Sequence, residues 1–212
     1  MLTYSTSSTI ATYISEDAQT TNFGNASTLL AVDDSTAKAA GRKRTLIEFD
    51  LTPIPVNSTV TAVSFQFNVV NSLGTGATCC FVQLTRTPSF SSPPPWLEGT
   101  GASGSGATWL TYDGTSNWVG AGANNGVFDH YSADLFRTSF PGATGIWTVG
   151  TDSNVITQVQ RALTNFGHYY SVMMYAETTA VVSGVEIDSD DSGTAPAINV
   201  EYYSPDADIR IY

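Results

Sequence analysis

The first candidate chemistry lies in one glycine-rich stretch. From Trp96 to Gly122 the chain reads WLEGTGASGSGATWLTYDGTSNWVGAG and holds three of its four tryptophans. Trp96, Trp109, Trp118 and Tyr112 offer flat apolar faces with a polar rim, on which sugar rings can stack. Tyr112 and Trp118 are the candidates for glycan binding. The same side chains could instead fold inward and pin a loop that has little else to bury. The inward arrangement is preferred, with Trp118 and Tyr112 as its best exceptions.

The remaining candidates each have a plainer reading beside the chemical one. Glu186, Asp188, Asp190 and Asp191 supply the oxygen ligands that calcium takes, but without the spacing of a dedicated calcium loop, and acids commonly cap turns. The metal assignment is left unknown, with calcium as the one cofactor considered. His130 and His168 lie on different segments with no nucleophile elbow or metal motif beside them, so a non-catalytic protein is expected. Arg42, Lys43 and Arg44 form the one basic cluster, GRKRT; they either pair with acids on a neighbouring strand or contact an acidic partner. Cys79 and Cys80 are neighbours, about 3.8 Å apart at Cα against the roughly 4.4–6.8 Å of an ordinary disulfide. They read as free thiols, one in the core and one at a surface or interface.

Composition bounds the function. In 212 residues, eight Lys plus Arg stand against nineteen Asp plus Glu, a net charge of −11. An acidic surface repels nucleic acid and anionic membranes, so neither is an expected partner. The start, MLTYSTSSTIATYISEDAQT, lacks the charged and apolar regions of a secretory signal, and no apolar run approaches the ~20 residues of a membrane helix. Synthesis in a reducing cytoplasm is the expectation.

These side chains must be positioned by strands. TLIEFDL alternates Ile47, Phe49 and Leu51 with Glu48 and Asp50, and VSFQFNVV alternates Phe65, Phe67 and Val69 with Gln66 and Asn68, each with one dry and one wet face. TYISED, STLLAVDD, CCFVQLTR, YYSVMMYAE, VSGVEIDS and AINVEYY are further strands between turn residues. Only TDSNVITQVQRALTNFG is helical, with Val155, Val159, Ala162 and Leu163 on one face, a cap among residues 151–153 and a stop at Gly167. Residues 87–107 and 120–145 read as long loops. The chain is expected to be a single all-β domain over 1–212, an antiparallel β-sandwich with long crossover loops and one short helix as a lid.

The order of these motifs resembles a known family. YISEDAQTTNFGNASTLLAVDD and GRKRTLIEFDLTPIPVNSTVTAVSFQFNV, then PWLEGTG with ATWLTYDGTSNW, then TVGTDSNVITQVQRAL and VEIDSDDSGTAPAINVEYY, are similar to successive parts of the DNRLRE-type β-sandwich, also classified as carbohydrate-binding module family 96. The resemblance covers about residues 10–203 and leaves 204–212 as a C-terminal tail. It implies a jelly-roll-like sandwich without catalysis, and binding of acidic polysaccharide. On this acidic chain calcium would have to bridge such a ligand.

Chain setting favours another role. The lack of a signal and the tail YYSPDADIRIY, whose Ile209, Ile211 and Tyr212 look in need of another chain, lead us to expect ends held by neighbours. The expected function is a virion structural protein, a capsid decoration or cement protein of a tailed phage. It would be made in the host cytoplasm, sit on the virion surface, and bind the major capsid protein and sister copies as a trimer around a three-fold axis. Arg42, Lys43, Arg44 and the tail residues would carry the contact. The alternative is a carbohydrate-binding module or adhesin for an acidic polysaccharide.

Overall fold

The structure, a computed structural model, describes residues 1–33, 41–87, 95–177 and 182–205. Ile209, Ile211 and Tyr212 lie outside the described residues. Among the described residues the architecture is mostly β and antiparallel, with one α-helix. Its strands are β1 (Leu2–Ser15), β2 (Thr28–Asp33), β3 (Lys43–Asp50), β4 (Thr59–Gly74), β5 (Thr78–Gln83), β6 (Phe136–Ser139), β7 (Gly145–Val149), β8 (Tyr169–Ala176), β9 (Ser183–Asp188) and β10 (Ala197–Tyr203). The helix, α1 (Ser153–Asn165), lies between β7 and β8.

Sequence periodicity leads one to expect two stacked sheets, but the strands form one continuous sheet. Pairing runs round a closed circuit of six strands, β1-β10-β4-β9-β2-β3 and back to β1. β8, β5 and β6 extend from β3, and β7 is added to β4. Two long strands make the closure possible by changing partner along their length. β1 pairs with β10 over residues 2–7 and with β3 over 8–15, with a bulge between Ser8 and Ile10. β4 pairs with β10 over residues 59–66 and with β9 over 69–74. A circuit of this kind removes most free sheet edges.

The alternating strands converge inside the circuit. Phe49, Phe65, Phe67, Phe81 and Tyr170 are fully or almost fully buried, and the Phe65 and Phe81 rings stack at 5.4 Å with 6° between planes. Each such side chain contributes about 1.5–3 kcal/mol through apolar area removed from water. Helix α1 closes the core with Val155, Val159, Ala162 and Leu163. Its start is capped by the Asp152 carboxylate, which accepts from the Asn154 amide at 2.8 Å. Beyond its end the backbone turns left-handed at Gly167 (φ 60°) and His168 (φ 70°). The helix is anchored through Gln158, whose Oε1 accepts from the buried Tyr170 hydroxyl at 2.7 Å.

Three further features of these segments differ from the sequence reading. β1 begins at Leu2, because its first half is a Ser/Thr-rich edge with little apolar alternation. β6 and β7 lie within residues 120–145 and just beyond, where the sequence reads as loop; they are only four and five residues long, too short for periodicity to register. Both cysteines are buried: Cys79 faces the main core, and Cys80, on the other face, is covered as well. Burial pushes the Cys80 thiol up to about 12, so neither a surface nor a reactive thiol results.

Phe65 sits at the centre of the ring stack, so Phe65→Ala leaves a cavity that rigid strands on both sides cannot close. Urea unfolding should show a loss of about 3–5 kcal/mol with the m-value unchanged.

Candidate functional site

The sheet formed by β1, β3, β8 and β5 has apolar side chains on both faces. On β8, Tyr170, Val172 and Met174 enter the main core, while Met173 points to the opposite face. There it meets Ile14, Leu46, Val82 and Leu84 in a second core. Glu48, expected on a wet face, is fully buried on this side. The cover is the stretch of residues 95–131, which folds as a layer over the sheet.

The aromatics of this layer point inward. Trp96 is fully buried, and its indole donates to Ser171 Oγ at 3.3 Å; Ser171 in turn lies 3.4 Å from the Glu48 carboxylate. Trp118 is 4% exposed and donates to the Thr108 carbonyl at 2.9 Å. Tyr112 is 9% exposed, packs edge-on against Trp118 at 5.7 Å, and has the Arg86 guanidinium 3.9 Å from its ring centroid. Neither glycan candidate therefore offers an open ring face. Trp109 is covered by Gly122, whose φ of 73° and contact with the indole leave no room for a side chain: a Cβ would lie 2.7 Å from the ring.

Three polar residues satisfy the irregular backbone of the layer, and sequence reasoning did not single out two of them. The fully buried Asp129 carboxylate accepts from the amides of Val119, Gly120 and Asn125 at 3.0, 2.8 and 3.0 Å. Asn22 donates to the Glu98 and Ala107 carbonyls at 2.5 and 3.0 Å and accepts from Gly101 N at 2.9 Å. Their only sequence signal is a polar residue in a turn-like stretch, TTNFGN and NNGVFD, which also describes an ordinary turn. Arg44 is the third: it donates to the Gly122 carbonyl at 2.6 Å and Asn124 Oδ1 at 3.1 Å, between the rings of Trp109 and Tyr175. Burial lowers its pKa to about 10, which still leaves it charged at neutral pH.

The basic cluster is therefore engaged within the chain. Arg42 forms a bidentate pair with Glu16 at 2.8 and 2.6 Å, and Lys43 lies 3.6 Å from Asp17. Of the acidic group, Glu186 accepts from Thr28 at 2.8 Å and Asp188 from Asn68 at 2.7 Å. Among the described residues no three His, Cys, Asp or Glu side chains are grouped to hold a metal. His130 is nearly buried against the Ala123 carbonyl at 2.9 Å, and burial lowers its pKa. A shallow pocket of about 240 Å³ opens on the layer, lined by Thr20, Ser103, Thr108, Leu110, Thr111 and Asn117 among others. No helix among the described residues is long and apolar enough to cross a membrane.

A further acid pair joins the layer to the barrel. Glu98 Oε1 accepts from the Ala11 amide at 3.1 Å, just past the β1 bulge. Burial, with Asp190 and Asp191 nearby, raises Glu98 from 4.5 to about 7, and burial together with Asp191 raises Asp190 from 3.8 to about 6.

No family model matches the chain, and no curated protein matches it.

Two outcomes follow from this geometry. Asp129→Ala strips three amides of their acceptor at roughly 1–3 kcal/mol each, so chemical denaturation should show a loss of about 3 kcal/mol or more. Between about pH 4.5 and 7 the unfolded chain releases the Glu98 proton while the folded chain retains it, so stability falls as pH rises through this window and is fully retained below it. Glu98→Gln, which keeps an acceptor for Ala11, should show a shallower fall than the parent in melts at successive pH values.

Proposed function

We propose that the chain is a non-catalytic virion structural protein, a capsid decoration or cement protein of a tailed phage, with a jelly-roll-like architecture. It binds the major capsid protein on the virion surface, with copies gathered as a trimer around a three-fold axis. Its scaffold is similar to the DNRLRE-type β-sandwich.

The observation that carries this reading is the rim of the loop layer. Val119, Val127 and Phe128 are 56%, 71% and 62% exposed, and the Leu110 carbonyl accepts from the amide of Trp118, the residue before Val119. They are held firmly. Val119 hangs on Asp129, and the Asn125 side chain accepts from the amides of both Val127 and Phe128 at 3.0 Å. A fixed apolar patch loses little conformational freedom on docking, and exposed patches of this kind mark protein contacts. It also suits a partner contact better than Arg42 and Lys43, whose charges are matched by Glu16 and Asp17.

One observation favours the alternative, a carbohydrate-binding module or adhesin for an acidic polysaccharide assisted by calcium. The hydroxyl and amide groups of Thr20, Ser103, Thr111 and Asn117 line the shallow pocket and could bond sugar hydroxyls.

Sedimentation with expanded empty phage shells separates the two. The protein should saturate the shells at a fixed ratio, and the double variant V127D/F128D should bind at least about tenfold more weakly, a loss of about 1.4 kcal/mol. A parent protein that ignores shells but binds a glycan array in the presence of calcium would overturn the cement reading.

A further inference from the structure

The circuit of strands leaves two short strands at the margins of the sheet, and they are protected differently. β6 carries Arg137, which pairs with Glu177 at 2.8 Å. A charged residue on an edge discourages pairing with another chain. β7 has no such guard: residues 138–151 contain no Asp, Glu, Lys or Arg, in a chain whose net charge is −11. The strand itself, Gly145–Val149, also has no proline and no bulge.

One edge of β7 is used by β4, through Phe65↔Val149, Phe67↔Trp147 and Val69↔Gly145. At Phe65 and Val69 the opposite edge of β4 is already taken by β10 and β9. β7 is therefore the outermost strand on that side, and among the described residues its ladder partners all belong to β4. Trp147 points inward, with its ring 5.5 Å from Phe67 and 6.3 Å from Phe140, which fixes the strand in place. Ile146 and Thr148 point the other way and are exposed, Ile146 at 65%. Val70, on the same outer face of β4 two residues from the Asn68 that pairs with Ile146, is also exposed.

We propose that β7 pairs antiparallel with β7 of a second copy of this chain, joining two barrels about a two-fold axis centred on Trp147. The strand is complementary to itself in that register. Ile146 falls opposite Thr148 of the second copy, and Thr148 opposite its Ile146, giving two β-branched cross-strand pairs. Gly145 falls opposite Val149, which leaves space on the inner face. A two-fold contact uses the same patch on both copies, and it can form here because the strand brings no like charges together. The net charge of each chain still opposes association at long range, so added salt strengthens the contact. It does not rest on the virion reading, and shell binding is measured separately from it.

Sedimentation equilibrium over a range of concentrations tests it. The parent mass should rise from 22.5 kDa toward twice that value, and at lower concentration in about 1 M than in about 0.15 M salt, where charges are screened over roughly 3 and 8 Å. I146K/T148K sets lysines opposite one another in both pairs and should stay at the monomer mass, as should I146E/T148E. Each should keep the parent's circular dichroism, since both sites are exposed. An equimolar mixture of the two variants should regain the dimer mass. A parent that stays monomeric at every concentration, a lysine variant that associates like the parent, or a mixture that stays monomeric would each overturn the proposal.

Discussion

A sheet with apolar side chains on both faces must be covered on both, and this constraint shapes the whole molecule. Tyr170, Val172 and Met174 face the barrel interior while Met173, with Leu46 and Val82, faces away from it. Water against that second face would forfeit the burial of several large side chains, each worth about 1.5–3 kcal/mol. Residues 95–131 supply the cover. Their three tryptophans bring the needed apolar bulk, and their glycines let the chain pack closely within the layer, as Gly122 does against Trp109.

Covering a sheet with irregular chain raises a second requirement, because buried amides and carbonyls without a ladder still need partners. Asp129, Asn22 and Arg44 meet it: Asp129 serves amides within its own stretch of the layer, while Asn22 and Arg44 serve backbone groups distant in sequence. Fixed carboxylate and guanidinium groups thus replace the regular hydrogen bonding of a second sheet. The result is a layer rigid enough to hold Val127 and Phe128 outward at its rim. The basic cluster is matched internally, Arg42 by Glu16 and Lys43 by Asp17, so these charges serve the fold itself.

The parts of this structure visible in the sequence are those with strong periodicity. Alternation through Phe65, Phe67 and Val69 marks β4, and the apolar face from Val155 to Leu163 with a cap among residues 151–153, which the structure shows to be Asp152, marks α1. The first half of β1 escapes because its Ser and Thr side chains are polar on both faces and it owes its strand form to β10. Glu48 reads as solvent-facing from alternation alone, since nothing local reveals the layer that buries it. One signal could have done so: YYSVMMYA on β8 is almost continuously apolar, as strands buried on both faces are. Asn22 and Asp129 were not legible, because a residue that gathers several backbone groups of an irregular layer looks locally like any turn residue. The closure of the sheet was equally hidden, since pairing partners of β1 and β4 change along strands whose sequence does not break.

The central claim is that residues 95–131 are a structural layer folded together with the sheet. Native-state hydrogen exchange tests it most directly, by following the amides of Val119, Gly120 and Asn125 and the indole N–H groups of Trp96 and Trp118 beside the amides of β3 and β8. A folded layer gives all of these protection close to that of the sheet, lost together on global unfolding. Rapid exchange of the layer amides and indoles while β3 and β8 stay protected would contradict it and restore an open, ligand-seeking loop.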